Sequence, residues 1–254
     1  MMIRILSVLL ALIANQILAE EVVLGLSQNR VAITANFDGS KILIFGAVKR
    51  ETEIQQEPPL EVVITVSGPD QPVTVRRKEK KLGIWVNVDS VDVDAAPSFY
   101  AVATSGPFHD VLSSVEDLRH KVSLPMAIRS VGAPTNVEDA QTFSEAIIRI
   151  RSKSGLYQML EDTVIVDQQT LFQTSIAMPA NLTEGDYETR IFLTRGGKVV
   201  SSFSTSIDVR KVGLERWLFN LSRQKPLAYG LLSLAIAIAA GWGASAAFRM
   251  FRQT

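Results

Sequence analysis

The most constraining feature of the chain is an uncharged run close to its C-terminus. Leu227 to Phe248 make up 22 residues without a single charged side chain. As an α-helix this run spans about 33 Å, which is enough to cross the hydrocarbon core of a bilayer. Tyr229 and Trp242 lie toward its two ends, as interfacial aromatic residues often do. The run predicts a transmembrane helix over 227–248, a juxtamembrane segment over 212–226 and a tail over 249–254.

The N-terminus has the layout of a secretory signal peptide. Arg4 is followed by an apolar core from Ile5 to Ala14 and by small and polar residues up to Ala19. This core is too short to span a bilayer, which favours a signal peptide over 1–19 against the alternative of a second membrane helix. Ile17 is larger than the residue preferred three positions before a cleavage site, so export is better supported than cleavage.

These two segments together predict the topology of the chain. Export at the N-terminus and a stop-transfer helix at the C-terminus place the middle of the chain in the periplasm and the C-terminus in the cytoplasm. Arg249 and Arg252 follow the apolar run and agree with the positive-inside rule. The predicted location is the bacterial inner membrane, crossed once, with the lipid bilayer as the first partner.

Composition limits what the exported part can bind and how it folds. The chain has 26 basic and 26 acidic residues, so its formal net charge of zero predicts no nucleic-acid partner. It has no cysteine, so the exported part depends on an ordinary apolar core rather than on disulfides. About 190 residues are enough for one large domain or two small ones.

Residues 20–108 carry strand patterns at short, regular intervals. Seven short strands in about 85 residues predict a mainly β fold with an immunoglobulin-like β-sandwich over 20–108. The continuous apolar run from Lys41 to Val48 predicts a strand covered on both faces. The basic residues from Arg76 to Lys81 predict a loop at a solvated hairpin tip, which could instead meet lipid headgroups or an acidic partner.

The pattern becomes helical over 109–158, the predicted helical connector. Ser113 or Ser114 suits an N-cap because an acidic residue follows three positions later. A longer helix is predicted from Asn136, with Gly155 as its stop. Its buried face is expected to carry three apolar residues spaced by four and three positions. These are Phe143, Ile147 and Ile150.

Strand patterns return over 159–211, a predicted β-rich subdomain. Gly196 and Gly197 suit a two-residue hairpin turn, and the strand that follows alternates apolar and polar residues. Four strands are few for an independent sandwich. The region is therefore either a second α+β subdomain or the completion of the first sheet beyond a helical insertion, and the pattern favours the subdomain.

Several separated motifs carry a resemblance to a known family. They include "FDGSKILIFGAV", "GIWVNV", "PSFYAVAT", "LFQTSIAMPANLTEGDY" and the terminal "PLAYG…GW…FR". With these motifs the chain resembles the putative transmembrane protein family of the Alphaproteobacteria over nearly all of its mature length. Trp217 and Phe219 make the juxtamembrane segment more aromatic than the family pattern. The resemblance implies a single-pass bacterial envelope protein and supplies no catalytic residues.

The search for chemistry yields only weak candidates. His109 and His120 would need carboxylates to complete a zinc site, because the chain has no cysteine. Ser105 lies near His109 and Asp110, but adjacent residues in a turn do not by themselves build a triad. Three aspartates could gather around calcium, or the last two of them could share the solvent-facing side of a strand. They are Asp89, Asp92 and Asp94. We therefore predict no catalytic, cofactor-binding or metal-binding residues, no cofactor and no enzymatic activity.

The predicted membrane helix carries the one candidate contact site. Small residues recur at intervals of four, which allows another helix to approach closely in lipid, although small residues are also common in membrane helices. One row is Ala237, Gly241 and Ser245, and the other is Ala239, Gly243 and Ala247. These rows predict that the helix self-associates or contacts another membrane protein.

Two functional hypotheses follow. The first is a non-enzymatic accessory or interaction module for another membrane or periplasmic protein. The alternative is a periplasmic small-molecule sensor or enzyme with a pocket between subdomains, lined by Trp85, Phe99 and Tyr100. An exposed apolar patch on a sheet would favour the first hypothesis, and a cleft ringed by polar groups would favour the second.

Overall fold

A computed structural model describes residues 21–28, 30–34, 37–50, 57–128, 140–212 and 214–251. The predicted signal peptide, the predicted N-cap at Asn136 and Arg252 lie outside these residues. The strands are β1 (Glu21–Leu26), β2 (Arg30–Ile33), β3 (Ser40–Lys49), β4 (Leu60–Ser67), β5 (Asp70–Lys81), β6 (Ile84–Pro97), β7 (Tyr100–Thr104), β8 (Tyr157–Leu160), β9 (Ile165–Asp167), β10 (Leu171–Met178), β11 (Gly185–Arg195) and β12 (Lys198–Lys211). The helices are α1 (Phe108–Val111), α2 (Ser114–His120), α3 (Leu124–Ala127), α4 (Ala140–Lys153), α5 (Leu214–Gln224) and α6 (Pro226–Phe251).

The strands form two large sheets and one two-stranded hairpin. The four-stranded sheet has the order β1-β3-β10-β9 and is antiparallel throughout. The six-stranded sheet has the order β2-β12-β11-β4-β7-β8, with parallel pairs at its two edges. The hairpin consists of β5 and β6. The mainly β prediction is confirmed.

Both large sheets combine strands from the early and late parts of the chain. β3 pairs with β10, and β4 pairs with β11. Helices α1 to α4 lie in the connection between β7 and β8, which are parallel neighbours. The late strands therefore complete the sheets begun by the early strands, around a helical insertion. This pairing follows the second of the two alternatives rather than the preferred separate subdomain.

The main core combines the inner faces of the two large sheets. Ile42 and Ile44 of β3 belong to the same buried cluster as Val62 and Ile64 of β4. Phe99 and Tyr187 pack there with their ring centroids 6.0 Å apart. Alternation along each strand sends every second side chain into this cluster, which explains why the strands pair in these registers. The immunoglobulin-like character of the arrangement stays a prediction.

A second core covers the outer face of the six-stranded sheet. Val63, Tyr100 and Phe192 project from this sheet into a cluster with Phe108 of α1 and Ile147 of α4. The valines of the β5–β6 hairpin that lie nearest the six-stranded sheet pack into the same cluster. Both faces of the six-stranded sheet are therefore covered around these residues, whereas the outer side of β12 is exposed at Ser204 and Ser206.

The caps of the helical insertion follow local sequence signals. Ser113 is the N-cap of α2, and its hydroxyl accepts a hydrogen bond from the Glu116 backbone N–H at 3.4 Å. Gly155 has a φ of +72° just after α4, as predicted for the stop. Ile147 is buried as predicted, but Ile150 is 60% exposed, so that part of the predicted apolar face is wrong.

The structure also tests two predictions about hairpins. Gly196 and Gly197, with φ of +54° and +75°, form the predicted turn between β11 and β12. The predicted basic loop over 76–81 is wrong, because these residues belong to strand β5. The turn of that hairpin lies at Leu82 and Gly83 instead.

Candidate functional site

The most apolar exposed surface of the β region is the outer face of the four-stranded sheet. Strand β3 was predicted to be covered on both faces, and this is wrong: its burial alternates residue by residue. The exposed apolar residues of this outer face have between 40% and 62% of their surface accessible. We call Val23, Leu43, Phe45, Ile165 and Leu171 the apolar sheet face.

Strand pairing makes these side chains neighbours. Val23 and Leu171 both lie opposite Ala47 of the central strand, so three apolar residues form one row across the sheet. Phe45 and Leu43 occupy the next two rows along the same side of β3. Paired strands lie about 4.8 Å apart, so the rows form a continuous surface rather than scattered contacts.

Phe45 lies flat against its neighbouring strand. A Cβ built on Gly25, which pairs with Phe45, would come within 2.4 Å of the ring. The glycine therefore leaves space for the ring to cover the β1 backbone. Beside the ring is an open depression of about 270 Å³, lined also by Ile165 and Leu171 and by two polar side chains, Asp167 and Gln173. The face thus offers a shallow apolar surface with polar groups at one edge.

A second exposed apolar group lies at the end of the β5–β6 hairpin. Leu82 and Gly83 both have positive φ angles and form the turn. Leu82 is fully exposed, and Ile84 and Trp85 are about two-thirds exposed. We call these three apolar residues the hairpin tip. The pocket residues predicted to include Trp85 do not meet, because Phe99 is buried between the sheets and Tyr100 in the second core.

The helix α5 gives the juxtamembrane segment an amphipathic surface. Trp217, Leu218 and Leu221 recur at the three- and four-residue spacing of one helix face. Trp217 and Phe219 are more than half exposed, and the Arg223 guanidinium lies 5.8 Å from the Phe219 ring centroid. An exposed aromatic and cationic helix next to a membrane helix suits the bilayer interface.

The small-residue rows lie on helix α6 with no packed neighbour at their glycines. A Cβ built on Gly241 or on Gly243 meets no described atom within 4 Å. Because each residue turns the helix by about 100°, rows two residues apart lie on nearly opposite faces. Ala237, Ala239 and Ser245 lie on α6 as well. The side chain of Ala247 lies outside the described part of the structure, and the contact site stays a prediction.

The carboxylates suggested for metal binding have other neighbours. Asp89 lies 3.6 Å from Arg77, and Asp92 accepts a hydrogen bond from the Thr74 hydroxyl at 2.6 Å. Asp92 and Asp94 are both exposed on the solvent-facing side of β6, as the second alternative predicted. Among the described residues, no group of three or more His, Asp or Glu side chains is arranged to hold a metal ion.

The serine and the two histidines considered for catalysis or zinc binding contact different partners. Ser105 donates its hydroxyl proton to the Glu61 carboxylate, and its Oγ accepts from the Val62 N–H at 2.9 Å. His120 Nε2 lies 3.3 Å from Glu116. His109 is exposed and stacks edge-on against Phe108. Ser105 is therefore bonded to a glutamate on β4 rather than to either histidine.

Sequence reasoning missed a partly buried polar network on the covered sheet. Arg190 donates to the His120 carbonyl at 2.8 Å, to the Lys121 carbonyl at 3.1 Å and to the Tyr100 hydroxyl at 3.2 Å. The Tyr100 hydroxyl donates to the Val122 carbonyl at 2.8 Å. Burial raises the pKa of Tyr100 to about 12, with Arg190 opposing the shift. The network fixes the end of α2 to the sheet and requires a neutral Tyr100.

The fold and its surfaces define a class of protein. Within the described residues, one helix is long and apolar enough to cross a membrane, with a 20-residue span at Pro226–Ser245 and a mean hydropathy of 1.7. The chain is a mainly β membrane protein with one candidate C-terminal transmembrane helix.

The comparison with protein families is more specific. A family model described as "Putative transmembrane protein (Alph_Pro_TM)" matches residues 21–250. The chain belongs to this family, as its motifs indicated. A search of curated proteins found no match.

Proposed function

We propose that the chain is a non-enzymatic accessory module, anchored in the bacterial inner membrane, whose periplasmic β region binds another membrane or periplasmic protein. The apolar sheet face carries this proposal. Its five residues are contiguous, apolar and left uncovered by the described chain, whereas the apolar residues on the outer face of the other sheet are covered by helices. Contiguous exposed apolar surface of this kind is typical of protein interfaces.

The geometry supports this function better than the sensor or enzyme alternative. The three aromatic residues proposed to line a pocket lie in three different environments. The polar candidates are exposed or held in hydrogen bonds and ion pairs that fix the fold. The depression beside Phe45 is open to solvent and has a volume of about 270 Å³, which is below the volume of a typical ligand site.

A site-specific photocrosslinker tests the proposed interface. Placed at Leu43 in the full chain, it should give a discrete protein adduct in native membranes, because this position projects from the apolar sheet face. Leu171→Lys on the neighbouring strand should abolish that adduct, since a lysine would have to be desolvated within the interface. The same crosslinker at Ser204, an exposed position of the other sheet, is the matched control.

The outcomes separate the hypotheses. An adduct at Leu43 that is absent at Ser204 and lost in Leu171→Lys supports the interface. Equal adducts at both positions, or none at Leu43, would contradict it. The proposed topology has its own test: a reporter active only in the periplasm should be active when fused after Val209 and silent after Thr254. The reverse pattern would overturn the orientation.

A further inference from the structure

The β5–β6 hairpin separates its charges along its length. Residues 76–87 contain five cations and one carboxylate, which gives this end of the hairpin a net charge of +4 in a chain with no net charge. The part nearer the sheet carries Asp89, Asp92 and Asp94 instead. The positive end also bears the hairpin tip, with its three exposed apolar residues.

The two faces of this positive end differ. On one face Arg77 is held by Asp89 at 3.6 Å and by the Thr142 hydroxyl of α4 at 2.9 Å, and its guanidinium lies 4.8 Å from the Phe143 ring centroid. Farther out on that face, Lys81 lies 4.0 Å from Glu79. On this face the positive charges are therefore paired with carboxylates, and Arg77 packs against α4.

The opposite face carries uncompensated positive charge. Alternation along β5 places Arg76, Lys78 and Lys80 on one side, and the register places Trp85 opposite Lys80. Arg76, Lys78 and Lys80 form no ion pair with any residue that the structure describes. The face combines three exposed cations with an exposed tryptophan next to the apolar turn.

The hairpin leaves the six-stranded sheet at the end that leads to the membrane anchor. The β4–β7 ladder continues into the hairpin through Gly68 N–H, which donates to the Phe99 carbonyl, and Ser98 N–H, which donates to the Pro69 carbonyl. The last β4 residue, Ser67, lies in the same row of the sheet as Ser206, in the half of β12 that leads to α5. Twelve residues of strand then span about 40 Å.

We propose that the hairpin tip inserts into the surface of an anionic phospholipid bilayer, with Arg76, Lys78 and Lys80 on the headgroups. Leucine, isoleucine and tryptophan suit the interfacial region, and basic side chains around them complement phosphate charge. The chain is already held at a bilayer by α6, so the hairpin meets this surface at high effective concentration. The contact would fix the β region against the membrane as a second point of attachment.

The full chain in vesicles provides the test. The chain has no cysteine, so Leu82→Cys gives one site for an environment-sensitive fluorophore. In vesicles of phosphatidylcholine with phosphatidylglycerol, the label should shift to the blue and be quenched by lipid-borne quenchers. In phosphatidylcholine alone, or at high salt, both signals should be much weaker. A label at Lys198→Cys, exposed at a hairpin turn on the opposite end of the sheet, should show neither signal.

Neutralising the cationic face isolates its contribution. Arg76→Gln, Lys78→Gln and Lys80→Gln together should lower the inserted-to-free ratio about 100-fold, at roughly fivefold per cation. A control variant with the same charge change outside the hairpin should keep the signal; it replaces Lys41, Lys153 and Lys198 by Gln. Circular dichroism melting should be the same for both variants, because all six side chains are exposed.

Three results would overturn the proposal. The first is an unchanged label in anionic vesicles, and the second is an equal shift in neutral vesicles. The third is a shift in native membranes that protein-free anionic vesicles do not reproduce, which would assign the hairpin to an acidic protein. None of these results bears on the crosslink at Leu43, so the two proposals fail independently.

Discussion

The outer faces of the two large sheets differ in whether the chain covers their apolar side chains. The six-stranded sheet projects Val63, Tyr100 and Phe192 outward and covers them with the helices inserted between β7 and β8. The four-stranded sheet projects Leu43 and Phe45 outward and leaves them exposed within the described structure. Both sets of side chains are largely apolar, so hydrophobicity alone does not distinguish a core from an interface. The difference lies in whether the chain supplies its own cover.

The largest expected effect comes from removing one aromatic ring from each face. Phe192 is 3% exposed and packs against His120 and the Arg190 guanidinium, so Phe192→Ala should lower the free energy of unfolding by about 3–5 kcal/mol. Phe45 is 43% exposed, and Phe45→Ala should cost only about 1 kcal/mol. Urea unfolding of the full chain in nanodiscs, followed by circular dichroism, measures both. Equal losses would break the comparison.

The second effect concerns the pH dependence of stability on the covered face. The pKa of Tyr100 is raised by burial to about 12 from its ordinary value of 10.0. A folded-state pKa above the unfolded one means that the folded protein holds this proton more tightly. Stability from this group is therefore full below pH 10 and falls by about 2–3 kcal/mol as the pH rises to 12.

Tyr100→Phe isolates this contribution, because phenylalanine has no proton to lose. The variant should be less stable than the natural chain at pH 8, where it lacks the hydrogen bonds of the Tyr100 hydroxyl, and its stability should fall less steeply between pH 10 and 12. Urea unfolding across this pH range gives both quantities. Identical slopes for the two proteins would show that the Tyr100 hydroxyl does not titrate late.

A smaller change should loosen the cover without touching the sheet. Ser113→Ala removes the N-cap of α2, and a cap of this type contributes about 1 kcal/mol. Its hydrogen bond to Glu116 N–H is long at 3.4 Å, which places the expected loss at or below that value. Hydrogen exchange should be faster in α2 and unchanged in β3. Faster exchange in both would mean that the two faces are coupled.

Local signals in the sequence predicted local structure well. The Gly196–Gly197 turn, the Ser113 cap and the Gly155 stop each depend on a few adjacent residues with defined backbone preferences. The candidate membrane helix was predicted for the same reason, because the length of the apolar run from Leu227 and its absence of charge are sufficient to indicate one.

Long-range features were missed for an equally physical reason. Strand pairing between β3 and β10 joins residues more than a hundred positions apart. The hydrophobic pattern of a strand does not indicate which other strand it pairs with. The exposed Leu43 and Phe45 have the same local pattern as buried residues, so β3 was predicted to be covered on both faces. Arg190 reaches Tyr100 only in the folded sheet. Ile150 fits the helical spacing of Phe143 and Ile147, but it lies outside the part of α4 that is buried.

The smallest expected effect extends the comparison to the membrane helix. Gly241 and Gly243 belong to small-residue rows on nearly opposite faces of α6, and no described atom lies within 4 Å of a Cβ built on either. Gly241→Leu and Gly243→Leu are therefore matched variants, with the same added volume on different faces. Both should leave insertion intact, because leucine is more apolar than glycine.

A partner helix packed on one row should discriminate between these two variants. Leucine on the contacted row holds the helices apart and should weaken association by about 1 kcal/mol, or roughly fivefold, while leucine on the other row has no effect. Self-association in nanodiscs or detergent, and co-purification from native membranes, distinguish a second copy from a different protein. Loss in both variants would mean that both faces are occupied. Unchanged association in both would leave α6 as an anchor alone, and the apolar sheet face would then have to account for partner binding without help from the membrane.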